Sequence, residues 1–273
     1  MIRKKLNLRI VFLVGLSLSL VYVFPFFLVV VNSLKPKVDI LRNPISFPVE
    51  FSWENFEKAI EKMAYFQALT NSLLVTVFSV AAIIVTSSML AYYLARTPGR
   101  GVKVTFFVLV ASMIVPFQAL MIPFVGLYGP AVNLNDRAAL VFFYVGFGAA
   151  LSAFLYHGFI STIPRELDEA AAIDGAGDFA IFWRIIFPML GPVTATVAII
   201  NSLWIWNDFL LPSLVLDQSS YTLPLSTYLF YGMYAREYGQ AMAGLLLEVI
   251  PIILFYFFLQ KQIVSGIAAG AVK

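Results

Sequence analysis

Two acids, Asp208 and Glu248, lie within stretches of sequence apolar enough to cross a membrane. A carboxylate is costly there, so such residues are by default candidates for a transport pathway. Asp208 belongs to a polar and aromatic cluster that also contains Asn201, Trp204, Trp206 and Asn207. Aromatic faces stack on sugar rings and polar groups bind hydroxyls, so the cluster predicts a pathway for a polar, ring-bearing solute. The alternative is an aromatic belt at the membrane surface, with Asp208 at the water boundary.

Two other polar residues, Gln118 and His157, lie in apolar stretches, and Glu248 has an alternative explanation. Pro116 and Pro123 flank Gln118 and predict a kink, from which Gln118 is a candidate to face the pathway. Glu248 is deeper in its stretch, and the alternative to a pathway role is a partner on a neighbouring span. His157 comes near the end of a stretch, where an interfacial position is favoured over a proton relay.

Several kinds of chemistry are excluded or disfavoured. The chain has no cysteine and one histidine, which excludes disulfides, thiolate sites and multi-histidine metal sites. It has no G-x4-G-K-[ST] motif, so it cannot supply an ATP site of that kind. No Ser–His or Asp–Asp pair is indicated, which makes an intramembrane enzyme the weakest hypothesis. No basic face with interleaved aromatics predicts nucleic-acid binding.

The elements that position these residues are predicted to be membrane helices. Hydrophobic residues make up 61% of the chain, charged residues 12%, and the mean hydropathy is +0.89. We predict one all-α transmembrane domain over 1–273 with six spans, since about 20 apolar residues cross a bilayer. The spans are about 10–33, 68–95, 103–127, 138–160, 189–215 and 239–260. The first is too long for a signal peptide and lacks a cleavage site after it, so it is expected to be retained.

The distribution of basic residues predicts the orientation. With the N-terminus inside, 11 of the 18 Lys and Arg residues fall on the inner side. Five of the other seven lie in the long segment 34–67, and long loops carry less weight in the positive-inside rule. Both termini and the segment 161–188 are therefore expected in the cytoplasm. Segment 34–67 is expected outside, extended at first because of its prolines and then an amphipathic helix after Ser52.

Segment 161–188 interrupts the apolar pattern with acids, small residues and a glycine break. Acids follow Pro164 in the first helical turn, and Ala170–Ala172 favour a helix that Gly175-Ala176-Gly177 ends. Asp178 is a candidate cap for a second helix. That helix carries an aromatic stripe at helical spacing, made of Phe179, Phe182, Trp183 and Ile186. A hairpin lying on the membrane explains the stripe but not the small, acid-flanked first helix. That helix is better suited to a groove on another protein.

The same segment resembles the signature loop of the permeases of ABC importers, E-A-A-x3-G-x9-I-x-L-P. Glu169, Ala170, Ala171, Gly175, Ile185 and Pro188 fall at the family spacing, and only Phe187 replaces the usual Leu. Ile173 and Asp174 extend the match to the E-A-A-x-I-D-G-A form of the carbohydrate-uptake branch. Other stretches resemble that branch along nearly the whole chain, including MIVPFQALMIPF and NDFLLPSLVL. The tail SGIAAGAVK resembles that of its MalG-type subunit.

The resemblance implies a type I ABC importer permease fold and a multi-pass protein of a bacterial or archaeal cell (inner) membrane. It implies a heterodimer with a MalF-type permease, two ATP-binding subunits and an extracytoplasmic solute-binding protein. ATP and Mg would be bound by the ATPase and not by this chain. Contact with the ATPase would be made by the matching positions, Glu169, Ala170, Ala171, Asp174, Gly175, Ile185 and Pro188.

The resemblance also implies that the outer loop 217–236 faces the binding protein. Its four tyrosines are Tyr221, Tyr228, Tyr231 and Tyr234, and the alternative for them is again an interfacial belt. For the whole chain, the alternative function is a self-contained secondary transporter or channel for a small polar solute. Such proteins need ion-coupling residues and often an internal repeat. The sequence offers two intramembrane acids and no convincing repeat.

Overall fold

The computed structural model describes residues 2–132, 136–231 and 237–271. Every regular element in these ranges is a helix and none is a strand, which confirms the all-α prediction. The α-helices are α1 Ile2–Ser33, α2 Lys37–Arg42, α3 Glu54–Lys62, α4 Tyr65–Arg96, α5 Arg100–Ser112, α6 Phe117–Val132, α7 Arg137–Ile160, α8 Glu166–Ile173, α9 Asp178–Ile181, α10 Phe187–Met189, α11 Gly191–Asn207, α12 Leu210–Val215, α13 Leu223–Thr227 and α14 Tyr238–Ala271.

Four segments of the described chain are single helices long and apolar enough to cross a membrane. They are Ile10–Ser33, Tyr65–Arg96, Arg137–Ile160 and Tyr238–Phe255. Two further pairs of helices meet this criterion only together, because each pair is sharply bent. The predicted number of six is therefore the upper end of the range of four to six.

The predicted third span, 103–127, is divided between α5 and α6, which meet at 101°. The break falls at 113–116, and α6 then continues through Pro123. Pro116 lacks the N–H of an uninterrupted helix and its ring restricts the residue before it, so a break just ahead of it is expected. Of the two flanking prolines, Pro116 therefore marks the bend.

Segment 34–67 is more helical than predicted. Its first part contains α2, which starts directly after Pro36, and is not simply extended. The second helix, α3, begins at Glu54 after Trp53 and not after Ser52. The ammonium of Lys35 is buried here and lies 3.1 Å from the carbonyl of Asn43 and 3.3 Å from Oγ of Ser46. Burial lowers the pKa of Lys35, although the nearby Asp39 opposes the shift.

The chain forms two compact units. One comprises 2–68 with 225–251, and the other comprises 69–224 with most of the remainder of α14. In the first unit, the Tyr65 hydroxyl donates to the Leu247 carbonyl at 3.1 Å, and Thr227 donates to Glu248 Oε2 at 2.7 Å. Glu248 thus has a hydrogen-bond partner within its own unit. That partner lies between the predicted fifth and sixth spans and not on a neighbouring span, so the alternative given for Glu248 stays a prediction.

The second unit is packed around α7. Gly146 and Gly148 do not interrupt this helix, which runs unbroken from Arg137 to Ile160. A Cβ on Gly148 would lie 2.6 Å from Cδ1 of Ile83 in α4 and 2.9 Å from Oδ1 of Asn201 in α11. The glycine therefore permits a close approach of three helices, as small residues do in membrane proteins.

Candidate functional site

Segment 161–188 contains a helix with a defined end. After α8, Gly175 has φ +84°, a left-handed conformation that favours glycine. The N–H of Ala176 donates to the carbonyl of Ala171 and the N–H of Gly175 to that of Ala172, both at 3.0 Å. These two bonds form a Schellman motif, which satisfies the last carbonyls of the helix. The elbow predicted at Gly175 is therefore formed by its backbone conformation.

The second helix starts one residue earlier than predicted, at the residue expected to be its cap. Gly177 is the cap, and its carbonyl accepts from Ala180 and Ile181, while Asp178 is the first helical residue. Its carboxylate still lies where the helix dipole favours a negative charge. The backbone then makes one π-helical turn at Phe182–Ile186, which continues into α10. Such turns are frequent at functional sites.

Two large apolar side chains near the elbow are almost unpacked. Ile173 is 86% exposed at the end of α8, and Phe179 is 69% exposed near the start of α9. Large apolar side chains with this much exposure, on a segment expected outside the membrane, are candidates for a surface that another molecule covers. The elbow places them on either side of Gly175, so they form the candidate contact surface of the loop.

The other residues of the aromatic stripe are buried or half-buried. A hairpin lying on the membrane surface would instead expose them to the lipid. Phe182 and Ile186 are buried, and the Phe182 ring lies 5.3 Å from that of Tyr92 in α4. Only Phe179 of the predicted stripe is largely exposed. The stripe therefore attaches α9 and the π-helical turn to the rest of the protein.

A polar cluster attaches α8 to the end of α4. Asp168 Oδ2 lies 2.9 Å from Nη2 of Arg96, an ion pair whose N–H is not aligned as a hydrogen bond, and both side chains are largely buried. The Tyr92 hydroxyl donates to the other carboxylate oxygen at 2.7 Å. The sequence assigned Asp168 only to the helix dipole, and nothing in its spacing indicated a partner more than 70 residues away.

Two arginines clasp the same junction from opposite directions. Arg96 of α4 donates to the carbonyl of Ile163 at 3.2 Å, and Arg165 donates back to the carbonyl of Ala95 at 3.0 Å. Each guanidinium binds a carbonyl near the C-terminal end of a helix, where cations are favoured. The loop and the end of α4 are thus joined by charged and hydrogen-bonded contacts in addition to packing.

A cavity of about 550 Å³ opens beside this junction, between the end of α4 and α9. Its wall combines aromatic rings with one basic and one acidic side chain. The lining residues are Met89, Tyr92, Tyr93, Arg96, Thr97, Pro98, Asp178, Phe179 and Phe182. An exposed helix next to a concave, partly charged surface is an arrangement suited to docking a folded partner.

The seven predicted ATPase-coupling residues are all in this loop, with different exposures. Ala171 of α8 is buried and Ile185 is half-buried. The other five are exposed, and they are Glu169, Ala170, Asp174, Gly175 and Pro188. Ala171 therefore supports the helix through its small size and through its carbonyl in the Schellman motif. The assignment of these positions to ATPase contact stays a prediction. The sequence places Ile173 in the motif but does not mark it as a contact residue. Its exposure in the structure is what makes it a candidate for contact.

The predicted pathway residues do not form one surface. Asn201 is only 3% exposed, and its amide donates to Ser152 Oγ at 3.0 Å and to the Val197 carbonyl at 2.8 Å. Asp208 accepts from the Tyr144 hydroxyl at 2.9 Å and from the Leu210 N–H at 2.9 Å. Both side chains thus connect elements of the same unit.

The other three pathway candidates are accessible. Trp204 is 40% exposed and packs edge-on against Tyr144. Asn207 is exposed, and its amide donates to the carbonyl of Leu203 in its own helix at 2.7 Å. Gln118 is exposed near the start of α6. A pathway role for all five stays a prediction. The exposure of Trp204, Asn207 and Gln118 favours them over Asn201, which is buried, and over Asp208, which is half-buried.

Other candidate chemistry finds no support in the described part of the chain. No three His, Asp or Glu side chains there come together as a metal site would require. His157 packs against the Phe106 ring at 4.2 Å, a contact between α5 and α7. Of the four outer-loop tyrosines, Tyr221 and Tyr228 are described, whereas Tyr234 lies outside the described residues and so does the side chain of Tyr231.

Comparison with known families matches residues 83–268 to the binding-protein-dependent transport system inner membrane component family. The matched region contains all of segment 161–188. The chain belongs to this family. It is a permease component of an ABC importer, and the prediction from the signature loop is confirmed.

Curated relatives cover almost the full length of the permease. The probable starch degradation products transport system permease protein AmyC of Thermoanaerobacterium thermosulfurigenes is 42% identical over 95% of this chain and 94% of its own. The melibiose/raffinose/stachyose import permease protein MelC of Bacillus subtilis is 36% identical over 98% and 97%. These relatives favour the importer over the alternative of a self-contained transporter or channel.

A solved structure shares the fold of the permease. It is the crystal structure of a bacterial ABC transporter involved in the import of the acidic polysaccharide alginate. The match has a TM-score of 0.79 and 21% sequence identity, and it covers 94% of this chain and 96% of that chain. The predicted ABC importer permease fold is thereby confirmed.

Proposed function

We propose that the permease imports a carbohydrate, a mono- or oligosaccharide, across a bacterial or archaeal cell membrane with energy from a partner ATPase. It would pair with a MalF-type permease, two ATP-binding subunits that bind ATP and Mg, and an extracytoplasmic solute-binding protein. The named substrates of AmyC and MelC support the carbohydrate assignment. Both termini and segment 161–188 would lie in the cytoplasm, as the distribution of basic residues indicates.

The single observation that carries the proposal is the pair of exposed apolar residues, Ile173 and Phe179, on either side of the Gly175 elbow. The short helix α8 would insert its exposed end into a groove of the ATPase. Fully burying an isoleucine or phenylalanine is worth about 1.5–3 kcal/mol, so two such side chains suffice as anchors. The polar exposed positions Glu169 and Asp174 would form the rim of the contact.

Transport would follow from alternating access. ATP binding would bring two ATPases together and displace the docked loop, and the spans would convert this into outward- and inward-facing states. The permease makes no ATP site of its own, so its part is mechanical coupling and half of the pathway. Trp204, Asn207 and Gln118 are the accessible candidates for contact with the solute.

Affinity purification tests the proposal. The tagged permease is purified in mild detergent from its own host, beside a variant that lacks residues 169–176, and the bound proteins are identified by mass spectrometry. We expect an ATPase and a second permease with the full-length chain, and loss of the ATPase with the deletion. Purification of the full-length chain alone or only with itself contradicts the proposal.

A further inference from the structure

The helix α4 is attached at both ends to segments with predicted partners. It has 32 residues, which corresponds to about 48 Å at 1.5 Å per residue, longer than the hydrocarbon core of a bilayer. No proline or glycine interrupts it, whereas α1 contains Pro25 and α14 contains Pro251. An uninterrupted helix cannot absorb a displacement at a kink, so movement at one end reaches the other.

The inner attachment is the cluster around Asp168. Arg96 and Tyr92 of α4 hold its carboxylate, and the Arg96–Ile163 and Arg165–Ala95 hydrogen bonds surround that contact. Breaking a largely buried ion pair leaves an uncompensated charge, which resists separation of the loop from α4. Segment 161–188 and the inner end of α4 are therefore expected to move together.

The outer attachment is a set of hydrogen bonds to the segment that follows α12. Asn71 donates to the carbonyl of Tyr221 at 3.0 Å, and Ser72 Oγ accepts from the N–H of Leu223 at 2.8 Å. Arg137 donates to Asn71 Oδ1 at 2.7 Å and fixes its amide. Asn71 and Ser72 are both buried. The outer end of α4 thus carries the start of the loop expected to face the binding protein.

We infer that α4 is the element that transmits the state of the ATPase to the outer loop, through Asp168 and Arg96 at one end and Asn71 and Ser72 at the other. The inference rests on the proposed function. These four are positioning residues, because they hold the loops and touch neither the solute nor ATP. Coupling requires two distinct sites and one structural element whose conformation both sites bias.

The absence of cysteine from the chain allows a direct test. Gln218, exposed just before Tyr221, is replaced by Cys in the complete complex in proteoliposomes. Its labelling by a membrane-impermeant maleimide is measured on this chain with and without trapping of the ATPase by ATP and vanadate. We expect trapping to change the labelling rate at least about fivefold, the lower end of typical coupling.

In this background, Asp168→Asn and Asn71→Ala should each abolish the difference while the ATPase still co-purifies. Asp168→Asn keeps the size of the side chain and an acceptor for Tyr92, so the loop can still fold. Tyr92→Phe is a second, milder variant and should reduce the difference. Thr86→Val is the matched control, because Thr86 is exposed on α4 and its hydroxyl donates to the carbonyls of Ala82 and Ile83 in the same helix. It should keep the full difference.

A full trapping-dependent difference in either Asp168→Asn or Asn71→Ala overturns the inference, and so does a reference complex without any difference. Loss of the ATPase on purification of Asp168→Asn also overturns it, because Asp168 would then belong to the docking surface. The proposed function fails by a separate outcome, which is purification of the reference chain without an ATPase.

Discussion

The N–H of Ala176 donates to the carbonyl of Ala171 across the elbow of segment 161–188, at 3.0 Å. This bond forms only because Gly175 between them has φ +84°. The space around Gly175 is open, since a Cβ there would meet nothing within 4 Å. The requirement for glycine is therefore one of backbone conformation, and this separates the elbow from a site of close packing.

Replacement of Gly175 by valine should uncouple ATP hydrolysis from uptake while the protein still inserts into the membrane. A side chain in the left-handed region costs roughly 1–2 kcal/mol, and more for a β-branched residue, so the loop adopts another turn. Gly177→Ala is the control, because φ is −77° there and the space is also open. Uptake and ATPase activity are measured on the same vesicles. Normal uptake by Gly175→Val contradicts the assigned role of the elbow.

Truncation of Ile173 to alanine should weaken association with the ATPase without destabilising the isolated permease. The side chain is 86% exposed, so the permease loses almost no internal packing. Burial in a groove of the partner is worth about 1.5–3 kcal/mol, and most of that is lost, which corresponds to roughly a tenfold or greater rise in Kd. Titration of the ATPase onto the permease in nanodiscs measures this.

Val49→Ala is the control for that titration. Val49 is also almost fully exposed, but it lies in the loop predicted on the other side of the membrane. Its truncation should leave the affinity unchanged. Equal affinities for wild type and Ile173→Ala would remove Ile173 from the contact surface.

Two asparagines of α11 should respond differently to replacement by alanine. Asn201 is buried and joins Ser152 to its own helix, so Asn201→Ala should lower the free energy of unfolding by about 1–3 kcal/mol. Asn207 is exposed, so Asn207→Ala should leave stability unchanged and reduce uptake at low solute concentration. Thermal unfolding in detergent and initial uptake rates separate the two effects. A stable Asn201→Ala with impaired uptake would return Asn201 to the pathway.

Gly148→Ala should destabilise the permease, whereas Gly146→Ala should not. The new methyl group at 148 would lie 2.6 Å from Cδ1 of Ile83, and overpacking of this kind costs about 1–3 kcal/mol. A methyl group at 146 would meet nothing within 4 Å. Ile83→Val removes the clashing atom and should restore part of the lost stability. Equal unfolding midpoints for both glycine variants would show that the helices do not approach so closely.

The sequence predicts the helices and the loop well because their signals are local. Apolar stretches mark the spans, and the elbow can be inferred from the residue types around Gly175. The bend of 101° between α5 and α6 is less visible, because three apolar residues precede Pro116 at the break. Local composition indicates a kink there but not its size.

The contacts between α4 and segment 161–188 are harder to predict, because they depend on tertiary structure. Arg96 and Asp168 meet only when α4 and α8 are packed, and neither residue is unusual in its own segment. Asn201 illustrates a different difficulty, because a polar residue in an apolar span suggests a pathway from sequence alone, and that role stays a prediction. Its hydrogen bond to Ser152 shows instead how a polar side chain can join two helices.

The most direct measurement is solute uptake by proteoliposomes that hold the complete complex, with ATP enclosed or omitted. The vesicles are supplied with a panel of radiolabelled mono- and oligosaccharides and the binding protein. We predict uptake of at least one carbohydrate that requires internal ATP, persists without any ion gradient and is lost when ATP is replaced by a non-hydrolysable analogue. Uptake that proceeds without ATP, or that follows an imposed ion gradient, would contradict the account.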